Sequence, residues 1–124
     1  MFRDLLLVGL GGGAGSMLRY ASSLLAGKMQ HTTFPVGTLF VNIAGCFILG
    51  LVVAFLERQQ VLNANLRLLL ITGFCGGFTT FSAFSSESLK MFGNGHYFLA
   101  ITYILVSVIL GLLAVWGGMN AIEN

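Results

Sequence analysis

The sequence predicts an all-helical integral membrane protein, and three features of its composition support this fold class. Only 8% of the 124 residues are charged and 56% are hydrophobic, whereas an average soluble domain carries about 25% charged residues. The chain has 17 glycines but one proline, which suits helices that pack closely in lipid. Its net charge of +2 forms no basic patch. The expected surroundings are therefore the lipid bilayer, and nucleic acid is not an expected partner.

Four stretches are long and apolar enough to cross about 30 Å of hydrocarbon, which takes roughly 20 residues of helix. We expect one membrane domain over residues 1–124, with spans near 5–26, 37–56, 67–90 and 97–118. The first span carries Arg19 in its last third. The sequence Gly93-Asn94-Gly95-His96 predicts a turn before the fourth span.

The N-terminal segment has two alternative interpretations. A cleaved signal peptide would carry its positive charge before the apolar run and small residues after it, whereas this chain has Asp4 before and Arg19 after. The run from Gly9 to Gly15 can be fitted to a dinucleotide-binding motif, but no strand precedes it and no acidic residue follows about 20 positions later. The glycines favour close helix packing instead, on the faces Gly9/Gly13 and Gly11/Gly15.

The positive charges that normally set membrane orientation are almost evenly divided between the two sides. One side has Arg3, Arg58 and Arg67, and the other has Lys28 and Lys90, with Arg19 leaning the same way. Such a balance is compatible with insertion in both orientations and with an antiparallel homodimer. A single orientation set by other features is the alternative.

Composition argues against an enzyme. The two histidines, His31 and His96, both fall in predicted loops, and no nucleophile and base are paired. Cys46 and Cys75 lie in apolar runs without CxxC spacing, so we expect small core residues, not a disulfide framework or a zinc site.

The third span predicts a broken helix near residues 76–80, because paired glycines, threonines and serines disfavour a helix interior. Broken backbone within a membrane must be buried in protein or line a cavity, and its bare carbonyls suit a hard cation such as Na⁺. Phe81 and Phe84 follow the break. Their ring edges are positive and could coordinate an anion, although plain helix packing is the alternative.

Two other spans carry polar series at helical spacing. The second has Thr38, Asn42 and Cys46 on one face, and the fourth has Tyr103 and Ser107, followed by Gly111. Asn42 could simply join two helices by hydrogen bonds, and Ser107 could pack between helices. We expect these faces either to line a polar path or to serve packing.

The run Gly73-Phe-Cys-Gly-Gly-Phe-Thr-Thr-Phe-Ser-Ala-Phe84 closely resembles the signature of the CrcB/Fluc fluoride channel family. The resemblance extends through Gly11-Gly-Gly-Ala-Gly-Ser-Met-Leu-Arg19 and Gly37-Thr-Leu-Phe-Val-Asn42, and it covers essentially the whole chain. Three positions depart from the family pattern: Phe78, Ala83 and Gly111.

The resemblance implies an antiparallel, dual-topology homodimer with two pores that passively exports fluoride across the bacterial inner membrane and confers fluoride resistance. It implies a structural Na⁺ at the dimer centre, held by main-chain carbonyls of Gly76 and Thr79. The implied pore and fluoride-handling positions are Thr38, Asn42, Phe81, Phe84, Glu87, Tyr103 and Ser107, together with Arg19 in the first span.

Two other functions remain as alternatives. A proton-coupled multidrug exporter of this size needs a carboxylate deep in its first span, but that span carries Arg19 and no acid after Asp4. The one intramembrane acid is Glu87, near the end of the third span. A scaffold subunit that transports nothing would need neither a helix break nor a polar track.

Overall fold

The computed structural model describes residues 1–29, 33–59 and 63–123, and these residues form helices joined by short connections, without a strand. His31, expected in a loop, lies outside the described residues. The helices are α1 (Phe2–Met29), α2 (Val36–Arg58), α3 (residues 64–78), α4 (Phe81–Gly93) and α5 (Tyr97–Glu123).

Three segments within the described residues are long and apolar enough to cross a membrane: Val36–Arg58, Ala64–Gly93 and Tyr97–Ile122. The chain is therefore a multi-pass helical membrane protein. α1 is also long enough, with 28 residues, but its glycines and Arg19 lower its mean hydropathy. Length and composition thus mark three of the four predicted spans, and the first stays a prediction.

The helices pack as two pairs, α2 on α5 and α1 on α3. Glycines permit both contacts. A Cβ at Gly50 of α2 or at Gly118 of α5 would meet the backbone of the opposite helix. A Cβ at Gly15 of α1 would meet the backbone of α3 at Phe74 and Phe78, so backbone lies against backbone in each pair.

Of the two glycine faces predicted for α1, one makes this contact. Gly11 and Gly15 are buried against α3. A Cβ at Gly9 or Gly13 would meet no atom of the described chain within 4 Å. The Gly9/Gly13 face is therefore not packed against any helix that the structure describes.

Most of α3 is wound as a π-helix, which the sequence does not predict. A short α-helical turn, Ala64–Leu66, leads into a π-helix over Arg67–Cys75, and a final α-helical turn covers Gly76–Phe78. π-Helices are rare, appear mostly as single turns within α-helices, and are frequently found at functional sites. Here Gly73, within the π-helix, lies directly against Gly11 of α1.

α4 ends in the turn predicted from the sequence. The backbone N–H groups of Asn94, Gly95 and His96 donate to carbonyls of the last turn of α4. Gly95 has φ +82°, a left-handed conformation that glycine adopts without strain. The turn reverses the chain, so that α5 returns beside α4.

Candidate functional site

The chain leaves helical geometry at Thr79 and Thr80, between α3 and α4. Thr79 has φ −85° and ψ 156°, and Thr80 has φ −146° and ψ 113°, both extended. The N–H and the hydroxyl of Thr79 donate to the carbonyl of Cys75 over 3.0 Å and 2.8 Å. Thr80 caps α4, because its Oγ1 accepts from the N–H of Ala83 over 3.2 Å.

The side chain of Asn42 on α2 holds the interruption in place. Its Oδ1 accepts from the N–H of Thr80 over 2.8 Å, and its Nδ2 donates to the carbonyl of Thr80 over 3.1 Å. We call Asn42, Thr79 and Thr80 the break cluster. An amide side chain has two donor hydrogens and two acceptor lone pairs, so Asn42 keeps one of each for a further partner.

This pairing leaves a main-chain carbonyl without its usual helical donor. In a continuous α-helix the N–H of Thr80 would donate to the carbonyl of Gly76, but here it donates to Asn42. The neighbouring carbonyl, of Gly77, accepts from Arg19 Nε over 3.1 Å and from Ser16 Oγ over 3.5 Å. Arg19 therefore lies beside the interruption and binds α3 through its backbone.

Three aromatic rings continue from the break cluster toward α5. The ring centroids of Phe81 and Phe84 are 5.7 Å apart, and those of Phe84 and Tyr103 are 5.2 Å apart. Phe81 is 78% exposed in the single chain, whereas Tyr103 is fully buried. Phe34 packs edge-on against the Tyr103 ring, 5.5 Å between centroids. The rings of Phe81, Phe84 and Tyr103 thus form a series from an exposed to a buried position.

Two hydroxyls hold the carboxylate of Glu87. Thr38 Oγ1 donates to Oε1 over 2.7 Å, and the Tyr103 hydroxyl donates to Oε2 over 3.1 Å. We call Thr38, Glu87 and Tyr103 the carboxylate cluster. Within the described residues Glu87 forms no ion pair, and the hydrogen-bond partners of its two oxygens there are the two hydroxyls.

A groove of about 430 Å³ runs along the interruption, and it brings together residues of α2, α3, α4 and α5. Its polar lining residues include Asn42, Thr79, Thr80 and Ser107. The Ser107 hydroxyl is buried and has no hydrogen-bond partner among the described residues. A buried hydroxyl without a partner is unusual in a folded protein, so it suits a ligand or water in the groove.

A second cavity, of about 380 Å³, lies beyond the carboxylate cluster and includes Thr38 and Glu87 in its lining. Lys90 and His96 also line it. Phe84 lines the groove, and its ring contacts the ring of Tyr103. The Tyr103 hydroxyl in turn donates a hydrogen bond to Glu87. The groove and the second cavity are therefore joined by a continuous series of side chains.

Each residue predicted for the site has a defined place. The groove is lined by six of them: Asn42, Gly76, Thr79, Phe81, Phe84 and Ser107. The second cavity is lined by Thr38 and Glu87, and Tyr103 lies between the two cavities. Arg19 binds α3 beside the interruption. Within the described part of the chain no three His, Cys, Asp or Glu side chains come together as a metal site. A hard cation at the interruption would take oxygen ligands, of which the main-chain carbonyls are one source.

Sequence reasoning missed two contributors. Thr80 supplies the backbone partner of Asn42 and the cap of α4, and Ser16 shares the Gly77 carbonyl with Arg19. For Thr80 a local signal exists, since a threonine before a helix is a common N-cap. No local signal could have shown the contact of Ser16, because its partner is 61 residues away.

A family model described as "CrcB-like protein, Camphor Resistance (CrcB)" matches residues 6–119. The chain belongs to the CrcB family. A similar protein from Flavobacterium psychrophilum is 45% identical over 117 residues, which is 94% of each chain. One from Phocaeicola vulgatus is 46% identical over 117 residues, 94% of this chain and 96% of the relative. One from Leptospira interrogans is 40% identical over 122 residues, which is 98% of this chain and 96% of the relative.

All three relatives carry the name "Fluoride-specific ion channel FluC". The expected family is thus confirmed, and it is a family of ion channels, not of enzymes. Nothing in these names points to a multidrug exporter or a scaffold subunit, the two alternatives weighed from the sequence.

Proposed function

We propose that this CrcB-family chain is the subunit of a fluoride-specific channel whose ion path follows the groove at the interruption of α3 and α4. The observation that carries the proposal is the convergence of Asn42, Phe81, Phe84 and Ser107 on one groove. The names of the relatives supply the ion.

The groove offers what a small, strongly hydrated anion needs in exchange for its water. Asn42 has one N–H left over from its bonds to Thr80, and the Ser107 hydroxyl has no partner among the described residues. The edges of the Phe81 and Phe84 rings carry partial positive charge. Among the described residues no lysine or arginine lines the groove, so a full charge from these residues would not trap the ion.

From the groove, the proposed path continues past Phe84 and Tyr103 to the carboxylate cluster and the second cavity. Thr38 and Tyr103 direct their hydroxyl hydrogens at Glu87. The same hydrogens are the donors that a passing anion would use. Movement of the Glu87 carboxylate away from them would therefore open a hydrogen-bonding position for fluoride.

We further propose that two chains pair in antiparallel orientation, giving two pores. α4 exposes Ser82, Ser85 and Ser86, together with Phe81, in the single chain. Hydroxyls facing hydrocarbon are unfavourable, so a second copy that covers this face would remove the cost. The nearly balanced positive charges of the two sides are compatible with such dual topology.

The carbonyls of Gly76 and Thr79 would hold a structural Na⁺ between the two copies. The Gly76 carbonyl has lost its helical donor to Asn42, and carbonyls at a break in a membrane helix are suited to Na⁺. The ion would supply positive charge where the backbone exposes its oxygens. The adjacent Gly77 carbonyl already accepts a hydrogen bond from Arg19.

In this proposal α1 also crosses the membrane, as the first of four spans, and the channel lies in the bacterial inner membrane. Passive flow of fluoride out of the cytoplasm would lower the internal concentration of this toxic ion, which is the basis of fluoride resistance.

The test replaces the groove phenylalanines and measures fluoride efflux from liposomes with a fluoride electrode. We expect Phe81→Ile and Phe84→Ile each to reduce efflux at least about tenfold, the equivalent of losing about 1.4 kcal/mol of transition-state stabilisation. Phe98→Ile is the matched control, because Phe98 is 84% exposed on α5 and does not line the groove. Unchanged efflux in both groove variants would refute the proposed path.

A further inference from the structure

Two thiols line the groove, and the proposed ion path uses neither of them. Cys46 lies on α2 and Cys75 on α3, and both residues belong to the lining of the 430 Å³ groove. They are the only cysteines in the chain, and both are free. The prediction that they are small core residues fits Cys75, which is 5% exposed, better than Cys46, which is half-buried.

The two cysteines are brought near each other by the contact between α2 and the interruption. A Cβ at Gly45, the residue before Cys46, would meet the Thr79 side chain. Thr79 in turn donates its N–H and its hydroxyl to the carbonyl of Cys75. Both residues line the same groove, Cys46 from α2 and Cys75 from α3, so the two thiols belong to one cavity.

In the part of the chain that the structure describes, the groove offers two sulfur atoms and no side-chain carboxylate or imidazole, because no described Asp, Glu or His lines it. Within the described residues neither thiol takes part in a hydrogen bond, so both are free to bind. Zinc normally takes four protein ligands in a structural site, and hard cations prefer oxygen. Soft ions prefer thiolate sulfur, and Cu⁺, Ag⁺ and Hg²⁺ form stable complexes with only two such ligands.

We propose that Cys46 and Cys75 together form a binding site for a soft metal ion of the Cu⁺, Ag⁺ and Hg²⁺ class, inside the groove. With Hg²⁺, two S–H bonds break and two S–Hg bonds form, two protons are released, and no electrons are transferred. An ion at this position narrows the same groove that holds Asn42, Phe81 and Phe84. Its binding therefore blocks anion flow, a consequence that rests on the proposed function.

The test uses Hg²⁺ with the purified full-length protein in the presence of millimolar glutathione as a competing thiol. We expect the wild-type chain to bind one Hg²⁺ and to lose both reactive thiols. Cys46→Ser and Cys75→Ser each keep one thiol, and we expect their retention of Hg²⁺ against glutathione to fall roughly 10²-fold, as the second ligand is no longer held nearby. The double Cys→Ser variant has no thiol and is the control for other binding.

A parallel fluoride efflux assay, in chloride-free buffer, separates this site from the ion path. We expect Hg²⁺ to stop efflux through the wild-type chain, dithiothreitol to restore it, and the double variant to be insensitive. Two Hg²⁺ per chain, or single variants that retain Hg²⁺ as well as the wild type, would overturn the shared site. One Hg²⁺ per chain without any block would support the site and contradict the path proposed through the groove.

Discussion

The break cluster and the carboxylate cluster occupy two ends of the same proposed path, but they are built from different groups. At the break cluster, a side-chain amide on α2 binds backbone atoms of Thr80. At the carboxylate cluster, side chains bind one another, with Thr38 and Tyr103 on Glu87. Substitutions in the first cluster should therefore change the course of the chain. In the second they should change the polar groups and leave the helices in place.

The largest effect is expected at the break cluster. Asn42→Ala removes the partners of the N–H and the carbonyl of half-buried Thr80, and a backbone group left unpaired costs up to about 1–3 kcal/mol when it is buried. We expect a marked loss of thermal stability in detergent together with loss of fluoride efflux. Asn120→Ala removes an amide that bonds only the local Trp116 carbonyl on an exposed part of α5, and it should change little. Equal stability of the two variants would show that Asn42 does not hold the interruption.

A smaller and more local effect is expected at the carboxylate cluster. Tyr103→Phe removes the hydroxyl that donates to Glu87 but keeps the ring against Phe84, so we expect a folded protein with about 1–3 kcal/mol less stability and reduced efflux. Tyr97→Phe, at a 62% exposed position, is the matched control.

The same cluster permits a sharper test by combination. Thr38→Val and Tyr103→Phe remove the two donors to one carboxylate, so their effects on stability should be non-additive by about 0.5–3 kcal/mol. Strict additivity would mean that the two hydroxyls do not act on Glu87 as a unit.

The smallest change in stability, and the most specific change in flow, is expected at Ser107. Its buried hydroxyl has no partner among the described residues, so Ser107→Ala should leave thermal stability unchanged or raise it. If the hydroxyl donates to the passing ion, loss of one hydrogen bond of about 1 kcal/mol lowers fluoride efflux roughly fivefold. Ser88→Ala, whose hydroxyl donates to the Phe84 carbonyl over 2.7 Å, should instead lower stability. The account fails here if Ser107→Ala is less stable but conducts normally.

The sequence predicted the fold class because composition reports directly on the solvent: few charges and long apolar runs fit lipid and no other environment. The low helix propensity of the residues after Gly73 could also be predicted, because propensity depends on local sequence alone. The π-helix over Arg67–Cys75 was not, because its first residues are ordinary helix formers and its winding accompanies close contact with α1.

The site was predictable in a different way. The resemblance named its residues, but their contacts depend on separations such as 38 positions between Asn42 and Thr80 and 58 between Arg19 and Gly77. No local pattern encodes such pairs. Asn42 was predicted to line a polar path or to join helices. Its bonds to the Thr80 backbone join α2 to the interruption, and a path along the groove that it also lines stays a prediction.

Efflux of fluoride and of chloride from liposomes that contain the purified wild-type protein decides whether the groove conducts fluoride selectively. We expect rapid fluoride efflux with little chloride efflux. Equal efflux of both ions, or no efflux of either from protein shown to be folded and membrane-inserted, would contradict the assignment of the groove as a fluoride-specific path.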